Sequence, residues 1–283
     1  MRKRIWLYLF LMLACVFALI AYRRIDRLTT DNTPPQITVQ EQLLQVSVLD
    51  GHGVLLQGVS AADDKDGDVT DSLVVESVKL NDQDGMVTVT YAAFDRSGNA
   101  AKAQRQVQYT DYESPKFALD AALLFAENTG FDALSVITAE DMLDGDITHW
   151  IRATSLDENS IGVAGDHEIE FRVTNSLGET VRLVLPVEVY APGTYQGYLE
   201  LTDYLVYLNT GDIFDAGDYL SSYTLSGKTY PMDQVLSEEL SVEISSDVDT
   251  NVPGVYMVTY MVTCTRNAVA YTGCSKLIVV VEG

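Results

Sequence analysis

Cysteine, histidine and positive charge are all scarce in this chain of 283 residues. Three cysteines (Cys15, Cys264 and Cys274) are too few for a disulfide framework, and no two have the spacing of a zinc site. The 3 histidines, His52, His149 and His167, fall at unrelated positions and suggest neither a metal centre nor an activated nucleophile. Lys and Arg number 18 against 41 Asp and Glu, a net charge of -23. Such a surface repels nucleic acid, whose binding rests on Lys and Arg meeting phosphate. Phosphate loop, nucleophile elbow and HExxH are all missing. The chain is therefore expected not to be an enzyme.

Long apolar runs are also rare, with one exception. Residues 1–4 are Met-Arg-Lys-Arg, expected on the cytoplasmic side, and Ile5 to Tyr22 follows without a charge. That run sits at the short end of membrane-spanning helices. It is read as a transmembrane signal anchor over 5–22, with a cleaved or lipidated signal as the competing reading. Val16-Phe17-Ala18 is the nearest small-x-small site, and Met12 to Cys15 faintly resembles a lipoprotein box. In both cases apolar sequence continues past the site. Cys15 is then simply a membrane-embedded residue. Residues 23–33 form a polar tether, and Pro34-Pro35 stops any helix continuing through it.

The rest is organised by a repeat. Asp63-Asp64-Lys65-Asp66-Gly67-Asp68-Val69-Thr70 returns as Asp141-Met142-Leu143-Asp144-Gly145-Asp146-Ile147-Thr148. A second set recurs in the same order: Val89, Tyr91, Ala93, Asp95 and Gly98 correspond to Ile169, Phe171, Val173, Asn175 and Gly178. Two motifs repeated in order mean tandem domains. The alternation at Val89, Tyr91 and Ala93 gives a strand with one buried face, and Asp95 to Asn99 gives a hairpin loop. The stretch Leu119–Ala126 is the nearest approach to a helix, but it lacks caps. The chain therefore reads as all-β: module one over 34–110, module two over 111–190 and a divergent module three over 191–283. Module three keeps its last hairpin (Val258, Tyr260, Val262 and Cys264 facing inward), but Leu225 to Tyr230 stands where the acidic turn would be. Of the 16 tyrosines, most lie beyond residue 190.

These stretches resemble a known family. The entry Pro34 to Ile37, the turn AADDKDGDVT and the hairpin VTVTYAAFDRSGNAA over 87–101 are similar to bacterial immunoglobulin-like surface modules. The likeness is to the hyalin-repeat-like kind, also found in pesticidal crystal proteins. It is specific over 34–110, weaker over 111–190, and confined to the last hairpin thereafter. It implies small β-sandwiches, usually in tandem and non-catalytic, on the bacterial surface. With the N-terminal helix, it implies a single-pass membrane protein with extracellular C-terminal modules. The expected role is a stalk or adhesive ectodomain presenting a distal recognition module. The alternatives are a sensor or envelope-assembly subunit binding a partner membrane protein, or a carbohydrate-binding accessory module.

Three groups of residues are candidates for chemistry. Asp63, Asp64, Asp66 and Asp68 are closely spaced hard oxygen donors of the kind calcium takes, although the same residues suit a tight turn around Gly67. No other cofactor is expected. Cys264 and Cys274 bracket the last hairpin and would oppose each other for a disulfide if Val258 paired near Val280; equally they would remain thiols. Tyr195, Tyr198, Tyr204 and Tyr207 would form a platform for a protein or glycan ligand, or alternate into the core. Asp95 and Asn175 are read as structural, folding back onto hairpin amides.

Overall fold

The computed structural model describes residues 2–29, 31–81, 85–130, 132–156, 162–225, 228–231, 240–266 and 268–283. Ser226 and Gly227, read above as replacing the acidic turn, lie outside the described residues, as do Met1 of the N-terminus and Thr30 of the tether. The chain forms two compact units, Met1–Tyr112 and Glu113–Gly283.

The first unit begins with α1, Arg2–Thr29, a helix of 28 residues. Its described large side chains, among them Trp6, Phe10 and Phe17, are exposed. Among the described residues no helix is long and apolar enough to cross a membrane. The transmembrane span expected over 5–22 is thus not supported, and the tether expected over 23–33 is corrected: α1 carries on through the charged residues 23–27 to Thr29. Seven strands follow: β1 Gln36–Val39, β2 Leu43–Val46, β3 Val59–Asp63, β4 Gly67–Asp68, β5 Val74–Leu80, β6 Met86–Phe94 and β7 Ala100–Tyr109. They form two sheets in the orders β1-β3-β4 and β2-β7-β6-β5. The opening segment is divided between them, β1 running antiparallel to β3 and β2 parallel to β7. Alternation along β6 buries Val87, Val89 and Tyr91, and Val107 of β7 is buried as well. Tyr91 carries a hydroxyl into this core, where it donates to the Leu55 carbonyl at 2.7 Å. That bond satisfies the phenol inside the sandwich.

The second unit contains two further sets of seven strands among its described residues. The first is β8 Lys116–Leu119, β9 Leu124–Ala126, β10 Ile137–Asp141, β11 Gly145–Asp146, β12 Arg152–Ser155, β13 Gly165–Thr174 and β14 Thr180–Tyr190. Its sheets, β11-β10-β8 and β12-β13-β14-β9, repeat the first unit's plan, including a parallel pairing of β9 with β14. The stretch Leu119–Ala126 therefore ends one strand and supplies the next. Eight residues without caps cannot offset the cost of nucleating a helix.

The second set is β15 Gly197–Leu201, β16 Leu205–Asn209, β17 Leu220–Leu225, β18 Lys228–Pro231, β19 Leu240–Ser246, β20 Gly254–Arg266 and β21 Val269–Glu282. Here too the opening segment divides: β15 runs antiparallel to β17, and β16 parallel to β21. Two extra pairs, Gly197 with Gly273 and Tyr198 with Cys274, join everything into one seven-stranded sheet. Module three therefore keeps the whole topology of its neighbours, not only the last hairpin.

The strand β21 is a shared wall. Leu277, Val279 and Val281 enter the module-three core with Tyr223, Val258 and Tyr260. On the opposite face Ile278 joins the module-two core with Phe171, Leu185 and Ile137, and Val280 packs against it. Lys276 pairs with Glu188 of β14 across the same junction. A strand buried on both faces needs a continuous apolar run rather than an alternating one, and Leu277 to Val281 supplies it.

Candidate functional site

The repeated acidic stretch forms the same turn twice. Asp63 Oδ1 accepts from the Lys65 and Asp66 amides at 2.8 and 3.0 Å, and Asp141 Oδ1 accepts from the Leu143 and Asp144 amides, both at 2.9 Å. Asp68 and Asp146 then cap the Thr70 and Thr148 amides, each at 2.9 Å. The hydroxyls of Thr70 and Thr148 reach back to the Ala61 and Ala139 amides. Gly67 and Gly145 sit at φ 73° and 70°, where a side chain would be strained. The turn is stapled to the following hairpin loop, since Asp66 Oδ2 accepts from the Arg96 amide and Asp144 Oδ2 from the Ser176 amide. The Thr70 and Thr148 hydroxyls, followed by their amides, hold the carboxyls of Asp68 and Asp146 below the usual range.

The four aspartates expected to act together are divided by this turn. Asp64 and Asp68 are exposed, and Asp68 is occupied by its cap. Asp63 and Asp66 instead converge with two residues that sequence reasoning did not place there, Asp31 of the tether and Asp95 of the hairpin loop. One oxygen from each of Asp31, Asp63, Asp66 and Asp95 lies within 4.8 Å of the other three. Asp31, Asp63 and Asp95 are all buried. Asp95 does fold back as expected, accepting from the Asn99 amide at 2.8 Å and from Asn99 Nδ2. The Asn99 amide group also reaches the carbonyls of Asp31 and Thr33, drawing the tether onto the loop. Asp31 Oδ1 accepts from the Thr33 amide and hydroxyl and lies 3.5 Å from the Lys65 ammonium. The Thr33 amide first, then the Thr33 hydroxyl and Lys65, hold its carboxyl below the usual range.

The tyrosines of module three do not form one platform. Tyr204 and Tyr207 pack against the module-two core. Tyr207 accepts from the Phe117 amide at 3.2 Å, and burial pushes its hydroxyl up to about 12. Tyr195 stands edge-on to Tyr190, with centroids 4.8 Å apart. Tyr198 is exposed. Tyr190, Tyr195, Tyr198 and Tyr204, with Leu124 and Cys274, line a cavity of about 190 Å³.

The cysteine pairing is corrected by the register. Val258 pairs with Leu277, not near Val280, so Cys264 lies opposite Tyr271 and Cys274 opposite Met261. That offset separates the two by roughly 10 Å along the ladder, beyond the ~7 Å that a disulfide spans. An odd offset also sends the two side chains to opposite faces. Both are buried free thiols, and Cys264 lies in the module-three core.

No protein-family model and no curated protein matches the chain. Among solved structures it is similar to the CBM51-2 and INT domains of ZmpB from Clostridium perfringens, at 15% identity and TM-score 0.23, covering 87% of this chain and 44% of that one. Mouse cadherin-23 EC22-24 is similar at 12% identity and TM-score 0.21, covering 89% and 99%. The lipoprotein BT2262 of Bacteroides thetaiotaomicron is similar at 10% identity and TM-score 0.23, covering 56% and 77%. The chain thus spans less than half the length of the ZmpB structure. At these scores none of the three carries an argument about this protein, and the β-sandwich reading rests on the strand order itself.

Proposed function

We propose that this is a non-enzymatic bacterial surface protein, associated with the membrane through its uncharged N-terminal run, whose sandwich modules form a stalk or adhesive ectodomain of the hyalin-repeat-like kind. The observation that carries this is the sandwich strand order present three times, stapled by the acidic turn in the first two, behind a helix whose uncharged run leaves its described large side chains exposed. Many cell-surface domains share the sandwich architecture. The acidic surface keeps such modules dispersed. Recognition of a protein or glycan belongs to the second unit, where the tyrosine-lined cavity lies.

That cavity supports a second reading, a carbohydrate-binding accessory role, because tyrosines offer flat apolar faces with polar tips. It is small beside the roughly 300–1,000 Å³ of ordinary ligand sites, so a single ring is the most it takes. The anchored ectodomain is tested by adding protease to intact bacteria expressing the full chain. Both units are expected to be digested, while the N-terminal fragment stays with the membrane and keeps Met1 or its neighbour. Protection of the units in intact cells, or a mature N-terminus beyond residue 18, overturns it.

A further inference from the structure

In module two the turn meets the hairpin loop through a donor: Asn175 Nδ2 donates to Asp141 Oδ2 at 2.9 Å. Module one has Asp95 at that place, and a carboxylate has nothing to donate to Asp63. Asp31 and Asp66 close on the same point, which gathers four carboxylates within 4.8 Å. Like charges this close and this buried repel strongly, and water is largely excluded from screening them. Asp31 adds a separate observation. It is only 7% exposed, and its Oδ2 is buried with no hydrogen-bond partner. A buried carboxylate oxygen left unmatched is costly in any fold that retains it.

We propose that Asp31, Asp63, Asp66 and Asp95 bind a calcium ion, which ties the tether to module one. The donors are all hard oxygens, the class calcium takes. A cation held at roughly 2.3–2.6 Å brings its ligand oxygens within about 4.6–5.2 Å of one another, and the four oxygens already lie that close, all within 4.8 Å. Magnesium keeps several of its waters and is seldom held by a cage of protein carboxylates. Backbone carbonyls and water complete the calcium set, since four carboxylates alone fall short of six to eight ligands.

Lys65 is the competing occupant. Its ammonium lies 3.5 Å from Asp31 Oδ1, but the side chain is 46% exposed and brings one charge to four. A flexible, half-exposed lysine swings into water when a divalent ion enters. Module two keeps Asp141 and Asp144 but has lost the other parts. Leu143 replaces Lys65 and Asn175 replaces Asp95. Aligned on Pro35 and Pro115, the counterpart of Asp31 is Asp111, which is engaged by the Ser47 hydroxyl and the Val48 amide. Because Asp31 follows the end of α1 by two positions, the ion would fix the junction between helix and sandwich.

The test uses the full chain in detergent, stripped with a chelator and titrated with calcium chloride by calorimetry, with magnesium chloride in parallel. One calcium per chain is expected, with a Kd of roughly 10⁻⁵ to 10⁻³ M and weaker binding of magnesium. D95N installs the residue that module two carries at this place, so the fold tolerates it. D95N and D31N are each expected to weaken binding by at least about tenfold, whereas D144N in module two leaves it unchanged and K65M tightens it. Three outcomes overturn the proposal: no saturable calcium binding up to about 10 mM, binding indifferent to both D95N and D31N, or a preference for magnesium. If K65M destabilises the metal-free chain and calcium still fails to bind, Lys65 is the permanent counter-ion and the proposal falls.

Discussion

Modules one and two share their strand order, the divided opening segment and a turn that matches bond for bond, yet they are completed differently. Module one forms a compact unit with the tether, and its turn faces Asp95. Module two faces Asn175 across the same turn and finishes its core with Leu205 and Ile278 borrowed from module three. The backbone plan is thus indifferent to both choices. What a repeat retains is hydrogen-bonded geometry, because every buried amide in the turn must be met. What it is free to change is the charge at the staple and the source of the last apolar side chains. Sequence likeness between repeats therefore predicts a common topology, but neither a common ligand nor a common folding unit.

The largest effect tests the borrowed core. Ile278 is 1% exposed, and truncating such a side chain leaves a cavity that costs about 2–5 kcal/mol. Ile278→Ala is expected to raise hydrogen exchange in β8–β14 together with β15–β21, leaving β1–β7 unchanged. If the loss is confined to β15–β21, modules two and three are independent and the contrast with module one disappears. The same packing means that removing residues 191–283 would strip Ile278 and Leu205 from module two, so truncation cannot map a binding site there.

Asn175→Asp tests the turn. It converts module two's closure to module one's, removing the donor to Asp141 and setting two carboxylates face to face. Leu143, at the place of Lys65, brings no charge to relieve them. Leaving Asp141 Oδ2 unmatched costs about 1–3 kcal/mol, which a lower thermal midpoint of the second unit at neutral pH would report. An unchanged midpoint would show that the turn tolerates either residue, and that Asp95 needs no cation to explain it.

Much of this architecture was legible in the sequence. The inward alternation at Val89, Tyr91 and Ala93, at Ile169, Phe171 and Val173, and at Val258 to Cys264 is buried as read. The Asp-Gly-Asp turn and its positive-φ glycines are local, so local sequence suffices to find them. The rest depends on distance. Asp31 reaches Asp63 and Asp95 only because the tether folds onto the hairpin loop, and no spacing rule connects a linker residue to that loop. The cysteine register turned on one assumed partner, Val280 for Val258, and the actual partner, Leu277, moves the two thiols to opposite faces. The shared core did leave a signal. Five consecutive apolar residues from Leu277 to Val281 mark a strand buried on both sides, but its second partner is not written beside it.

The smallest effect separates the modules by acid. A carboxyl held below its ordinary value in the folded chain takes up its proton later than in the unfolded chain. Near and below the ordinary value of 3.8 the unfolded state then binds more protons, so stability falls as pH drops through this range and is full above it. Asp68 and Asp146 are held down by the same Thr hydroxyl and amide, so both modules should lose stability in this window to the same degree. Asp31 is depressed as well, by the Thr33 amide first and then by the Thr33 hydroxyl and Lys65, and so is Asp111, by the Ser47 hydroxyl and then the Val48 amide, both within the first unit. The metal-free first unit should therefore lose more of its stability than the β8–β14 region between pH 5 and pH 3. Hydrogen exchange followed through that range on the full chain measures both at once. D31N should remove part of the excess from the first unit, leaving the share of Asp111 and the part common to both modules intact. Equal acid sensitivity before and after D31N would mean that the tether aspartate contributes nothing to the first unit's stability, and the acid contrast between the modules would then rest on Asp111.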